Sequence, residues 1–309
     1  MNTVIFVPDI ECDSCIKILN KKFKTLQGIT DYTINTDSIT FEHNEPTITQ
    51  EQLIQTIITA GFRASLTPFT RKTLRERLRD FKENPTKYAL ERKGITYSIA
   101  TLMLLFALEL IAYFTYFKTL PTFLETYGWW IFYLTISTVF LSFALWHFRS
   151  YKTNVTCMVG MMIGMTFGMQ TGMMIGFILG ATNGFFIGAT VGMLLGVLVG
   201  ALTGMCCGVM GLMEGMMAGI MGGTMGPMIS LMMFFDHLLW FTPLYMLINI
   251  IILLGMSYML FEEVIEHNKR IQRKNIDFIT FSSLTIIITF LLVALMIYGP
   301  TSTLIIGGA

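Results

Sequence analysis

The sequence predicts a small α+β domain of ferredoxin-like βαββαβ order, followed by an all-α transmembrane domain of about seven spans. Three observations carry this. Charged residues are only 13% of the 309, and they crowd into the first 93 positions and a few short islands beyond. The first 65 or so residues alternate strand-like and amphipathic-helix patterns, whereas the remainder is a series of long apolar runs. Within those runs glycine stands at every fourth position from Gly160 through Gly208, thirteen times without a gap.

Residues 3–8 (TVIFVP) read as a strand. Cys12-Asp13-Ser14-Cys15 follows, and then Ile16, Ile18, Leu19, Phe23 and Leu26 mark one face of a helix. YTINT and SITFEH alternate as two strands about a polar turn. A second helix covers about Thr49 to Ala60, Gly61 stops it, and FRASL supplies a last strand. A CxxC pair in the loop entering a helix has a clear chemistry. The helix N-terminus favours thiolate, and two thiolates three positions apart can approach one soft ion such as Cu(I) or Zn(II). A thioredoxin-like redox pair needs more strand and helix upstream than residues 1–11 provide. Asp9, Glu11 and Asp13, with no apolar run around them, speak against a signal peptide. The domain is therefore expected in the cytosol, with the five cysteines as thiols or metal ligands rather than disulfides.

Over residues 3–66 the chain resembles the heavy-metal-associated domain of copper chaperones and metal-transporting P-type ATPases. The resemblance rests on Cys12 and Cys15 after a first strand, on Leu26-Gln27-Gly28-Ile29 after the first helix, and on Ala60-Gly61-Phe62 before the last strand. It implies that Cys12 and Cys15 hold the metal. Asp9-Ile10-Glu11 stands where the family usually has Gly-Met-Thr, and an acidic residue before the first cysteine is similar to its zinc- and cadmium-handling members. The resemblance stops at this domain: the chain carries no Asp-Lys-Thr-Gly phosphorylation motif.

Residues 68–94 form a basic linker. Positions 69–93 hold nine Lys or Arg against four acids, with Leu74, Leu78 and Phe81 on one helical face. This pattern suits a helix lying on an anionic leaflet or a solvated linker, not a nucleic-acid contact. The transmembrane domain, 95–299, has expected spans at about Ile95–Phe117, Trp129–Phe148, Leu238–Phe261 and Ile276–Tyr298. Its Gly/Met-rich block, 155–233, suits three more, turning near Asn183 and Cys206. With the N-terminus inside, fifteen basic residues flank the spans in the cytosol and Lys118 alone lies outside, which satisfies the positive-inside rule. The C-terminus, with a tail at 300–309, is then expected outside.

Glycine at i and i+4 makes a groove in which another helix backbone packs closely, within one chain or with a second copy. Methionine follows the same beat. Met161, Met165, Met169 and Met173 form one line, and Met213, Met217, Met221 and Met225 another. Both lines begin near the expected cytosolic face, where Cys157, Cys206 and Cys207 also fall. Thioether and thiolate favour Cu(I) over hard cations, although methionine also serves simply to fill gaps. Glu214 is the only charged residue from Cys157 to Met233, and a carboxylate there marks a functional position by default. The expected membrane path is thus Cys157, Met161, Met165, Met169, Cys206, Cys207, Met213, Glu214 and Met217.

Two functions follow as expectations. One is a carrier for a soft metal, Cu(I) first and Zn(II) or another soft ion as the alternative, fed at Cys12 and Cys15 by a cytosolic metallochaperone. The other is a membrane-anchored protein that binds or senses Zn(II), Cd(II) or Hg(II) or acts as a scaffold, and moves nothing. No Ser/His/Asp or paired-carboxylate constellation stands out, and the four histidines fall near expected aqueous regions, so an enzyme is not expected.

Overall fold

The computed structural model describes residues 2–8, 10, 13–24, 26, 28–35, 37–43, 48–60, 62–68, 79, 88–119, 123–152, 157–262, 272–273 and 277–301. Two compact units emerge, one built on residues 1–87 and one on the helices from Tyr88 onward.

In the first unit the order is β1 (Asn2–Phe6), α1 (Asp13–Phe23), β2 (Ile29–Ile34), β3 (Ser38–His43) and α2 (Gln50–Thr59). The sheet runs β1-β3-β2 with β3 central and both pairings antiparallel. Strand alternation turns Ile5, Ile39 and Phe41 to one face, where they meet Leu19 and Phe23 of α1 and Leu53 and Ile57 of α2. The Phe23 ring stands edge-on to Phe41 and Tyr32, with centroids 5.0 and 5.2 Å apart. Thr49 caps α2, its backbone N–H donating to the Gln52 side chain at 3.0 Å.

The expected last strand over FRASL is reduced to one bridge, in which Phe6 and Ser65 exchange backbone hydrogen bonds of 2.8 and 3.1 Å beside β1. The reason is local. The Ser65 hydroxyl captures the Thr67 backbone N–H (3.1 Å), which bends the chain, and Pro68 follows with no donor of its own.

The second unit consists of α3 (Ala89–Thr115), α4 (Phe123–Ser150), α5 (Cys157–Asn183), α6 (Phe185–Gly204), α7 (Gly208–Met232), α8 (Leu238–Leu260) and α9 (Phe278–Tyr298). A two-residue ladder joins β4 (Tyr151–Lys152) to β5 (Gln272–Arg273). Among the described residues six segments are long and apolar enough to cross a membrane; the one at 185–232 comprises α6 and α7. These two helices fold back on each other at a 3-10 turn, Met205–Cys207, followed by Gly208 at φ 74°. α3 begins six residues before the expected Ile95 and takes in Arg92 and Lys93. Most of the basic linker, including Leu74, Leu78 and Phe81, lies outside the described residues, as does the tail beyond 301.

α5 is the hub. Most of its side chains from Ile163 to Asn183 are buried. Phe148 of α4 meets Phe167, Phe241 and Tyr245 of α8 meet Phe177, and Asn183 Nδ2 donates to the Met296 carbonyl of α9 (3.2 Å). On its other side α5 packs against α6 and α7, largely backbone on backbone, with the Pro227 and Ser230 side chains of α7 seated over Gly176 and Gly180. Gly184, at φ 101°, turns α5 into α6 so that Gly180 faces Gly188, Gly168 faces Gly200 and Gly164 faces Gly204. Across the next turn Gly204 meets Gly211, Gly200 meets Gly215, Gly196 meets Gly219, and Gly223 meets the Gly192–Met193 backbone. A second set on α7, Gly222 and Gly226, rests on the α5 backbone at Met169 and Met173. A methyl added at Gly200 would lie 2.2 Å from the Gly215 carbonyl oxygen, and one at Gly219 would lie 2.3 Å from the Gly196 carbonyl carbon.

These distances yield a prediction. Gly200→Ala and Gly219→Ala each force the helices apart, and each destabilises the detergent-solubilised protein by roughly 1–3 kcal/mol. Gly255→Ala on α8, where a methyl meets nothing within 4 Å, leaves the thermal midpoint unchanged or raises it. Equal midpoints in all three variants would mean that backbone contact does not hold the three helices together.

Candidate functional site

Cys15 sits in the first turn of α1, half-buried against the core of the first unit. Before it, Val7 and Ile10 are buried, and the Val7 N–H donates to the Asp37 carbonyl (2.9 Å). Cys12, Asp9 and Glu11 lie outside the described residues.

In the helical unit the thiols of Cys206 and Cys207 stand 3.7 Å apart in the turn between α6 and α7. The Cys206 thiol also donates to the Thr203 carbonyl (3.2 Å). Both sulfurs lie over the first turn of α5. A methyl on Gly160 would fall 1.9 Å from Cys207 Sγ and 2.9 Å from Cys206 Sγ. Cys157 is the first residue of α5, one turn before Gly160, so its backbone stands at the same end as the thiol pair; its side chain is outside the described residues. One ion about 2.3 Å from each sulfur fits the 3.7 Å separation and subtends about 107° at the metal, an angle of tetrahedral type. Opening the pair by about 1 Å gives the linear arrangement that two thiolates offer a monovalent soft ion. Among the described residues no three His, Cys, Asp or Glu side chains converge on one point.

The methionine lines take a different place from the thiols. Met213, Met217, Met221 and Met225 face outward from α7, between 44% and 63% exposed, because the glycines occupy its inner side. On α5, Met165 is half exposed and Met161, Met169 and Met173 are partly covered. The space enclosed by α5, α6 and α7 is filled by glycine backbone in contact, together with the Pro227 and Ser230 side chains. Glu214 is half-buried at the edge of the outward face of α7, six residues from its start and so about 9 Å along it.

Two polar groups of the helical unit were not singled out in the sequence. Glu109 of α3 stands in an otherwise uncharged run, TLMLLFALELIAYF, and is in hydrogen-bond contact with Thr135 of α4. The signal was a lone acid in an apolar span, beside the stronger glycine and methionine periodicity. At the other end of α3, Glu91 Oε1 accepts from Tyr151 (2.5 Å) and lies 3.7 Å from His147 Nε2. His147 was expected near water and is instead 2% exposed, stacked on Phe143; helix periodicity turns it inward at the last turn of α4. His43, on the inner face of β3, is likewise buried.

No family model matches the chain, and comparison with characterised proteins and with solved structures finds no similar one.

The thiol pair can be tested directly. In full-length protein carrying Cys12→Ala and Cys15→Ala, further replacement of Cys206 and Cys207 by Ala lowers Ag(I) binding capacity. Gly160→Leu, whose side chain would overlap both sulfurs and displace them, weakens that binding by about 10–100-fold. Unchanged Ag(I) binding in both variants would remove the pair as a soft-ion site.

Proposed function

We propose that this chain is an integral membrane protein that binds a soft heavy-metal ion and passes it from an N-terminal CxxC domain to a thiol pair at the cytosolic end of its helix bundle. The observation that carries the reading is the placement of Cys206 and Cys207 over Gly160, beside the start of α5 at Cys157. Cysteines far apart in the chain come to one end of the bundle, where two sulfurs can share an ion.

The first unit supports capture. The sheet order β1-β3-β2 with Ser65 bridged beside Phe6 is what a ferredoxin-like domain with a vestigial fourth strand would give. That agrees with the resemblance to heavy-metal-associated domains, in which Cys12 and Cys15 would hold the ion and exchange it with a cytosolic metallochaperone. Splitting 185–232 at Met205–Cys207 yields helices of 20 and 25 residues, and 20 residues span about 30 Å. Seven crossings follow, with the first unit and the thiol pair inside and the C-terminus outside. Cu(I) suits a paired thiolate site that opens to linear geometry, and Zn(II) suits the angle as it stands.

The outward methionine face of α7 favours a second reading, in which the bundle anchors a metal-binding or sensing domain and transports nothing. For a carrier, the methionine lines would have to work on the outside of the glycine core, against lipid or a second copy.

Metal flux into sealed proteoliposomes separates the two. A carrier moves Cu(I) faster than protein-free vesicles, and Cys157→Ala/Cys206→Ala/Cys207→Ala abolishes the difference. Absence of Cu(I) and Zn(II) flux, with metal still bound at Cys12 and Cys15, rejects transport and leaves the anchored metal-binding protein.

A further inference from the structure

The half of the bundle away from the glycine core is joined by side chains, and one of them is an acid. Glu109 sits on α3 six residues before its end at Thr115, about 9 Å inside that end. Its Oε1 is in hydrogen-bond contact with Thr135 Oγ1 of α4. The same hydroxyl lies 2.9 Å from the carbonyl oxygen of Ile131, one turn earlier. Thr135 is wholly buried.

A threonine hydroxyl has one proton to donate. The Ile131 carbonyl can only accept, and an ionised carboxylate can only accept. Thr135 makes both contacts with an undivided proton when it donates to Ile131 and Glu109, as a neutral acid, donates to Thr135. With Glu109 ionised, Thr135 must divide its proton between the carboxylate and the Ile131 carbonyl or give it wholly to the carboxylate. Thr138 and Thr289 are 2.8 Å apart, Thr289 is 2.8 Å from the Thr285 carbonyl and Thr138 is 3.0 Å from the Thr135 carbonyl, so two hydroxyl protons serve three contacts and one of them is shared. That ladder fastens α4 to α9, while Glu109 fastens α3 to α4.

The surroundings select the ligand. Glu109 borders a groove of about 530 Å³ between α3 and α9, lined nearby by Leu105, Ala112, Phe290 and Val293. Among the described residues that line the groove no other is charged. α4 presents Thr135, α9 presents Thr289, Phe290 and Val293, and the nearest titratable groups on the groove are Tyr116 and Tyr298, which pair at its mouth. Lys118 lies beyond them in the 3-10 turn Phe117–Thr119. A metal or alkali cation needs several oxygen ligands, and here there is one carboxyl and one hydroxyl. A proton needs no more than that.

We propose that Glu109 is an intramembrane proton-binding site, occupied at neutral pH, whose proton clasps α3 to α4 and is exchanged through the groove mouth at Tyr116 and Tyr298. Uptake converts the carboxylate to an acid that donates to Thr135; release returns the proton to water and transfers the Thr135 hydrogen bond from Ile131 to Glu109. The site is independent of the metal reading, because it uses neither the thiols nor the methionines.

Infrared spectroscopy of the full-length protein tests it without any metal. At neutral pH the wild type shows the carbonyl stretch of a protonated carboxylic acid, and that band is missing from Glu109→Gln. Thr135→Val keeps the band and shifts it, since the acid loses its acceptor. If Glu109→Gln fails to fold, Glu109→Asp serves in its place and moves the band rather than removing it. A wild-type spectrum without the band, or one that both Glu109 variants leave unchanged, overturns the proposal. Neither result bears on metal flux, so failure of this site and failure of the carrier reading are told apart.

Discussion

Backbone-to-backbone contact between glycine helices is the constraint on which the helical unit depends. Apolar side chains gain nothing by leaving lipid for protein, so helices in a membrane are held by close packing and polar links. A side chain at Gly164, Gly168, Gly196 or Gly200 would overlap a neighbouring backbone. Its absence brings whole peptide planes into dispersion contact and places Cα hydrogens against carbonyl oxygens. The cost is the poor helix propensity of glycine, about 1 kcal/mol per residue in water. It is offset where the backbone has no partner other than itself. The thiol pair inherits its position from this packing. Cys206 and Cys207 lie over α5 because Gly160 continues the same seam to its end.

The unit thus has two halves of different character. Around α5, α6 and α7 the contacts are backbone, and rearranging them means separating peptide planes. Around α3, α4, α8 and α9 the contacts are aromatic rings, hydroxyl ladders and single polar links such as Ser137 to Met246 and Thr138 to Thr289. Such links have alternatives. A hydroxyl can rotate to a second acceptor, and a carboxyl can lose a proton. If the protein changes shape in use, the softer half is where that change costs least, and it contains both buried carboxyl contacts, Glu91 with His147 and Glu109 with Thr135.

Much of this was legible because it is periodic. The strands and helices of the first unit follow alternation and amphipathic spacing, and the turns near Asn183 and Cys206 fall where a bilayer length runs out. The four-residue beat also carries more than a groove. A stripe folded about Gly184, itself a member, lands on its own positions, so α5 and α6 share one phase. The next turn is centred between Cys207 and Gly208. Folding there requires a three-residue step, and the slip from Gly208 to Gly211 supplies it. What was not legible depends on which side of a helix faces inward. Methionine at four-residue spacing reads equally well as a lined path or an outer face, and only the glycine contacts decide that α7 turns Met213 and Met217 outward. The last strand failed for a different reason: a serine hydroxyl competed for the backbone N–H that the ladder needed.

The rigidity of the core bears on how a thiol pair could exchange an ion. Adjacent cysteines in a turn between two fixed helices cannot drift far apart, so their sulfurs remain within reach of a single ion. Cys206 is exposed and Cys207 partly so, at the end where Cys157 begins α5, and an incoming thiolate would approach there. Two ligands held and a third position free is the arrangement by which thiolate sites hand ions on rather than keep them, since the exchange passes through a three-coordinate state without first stripping the ion. A side chain at position 160 would overlap both sulfurs and push them off α5, and with them any ion they share.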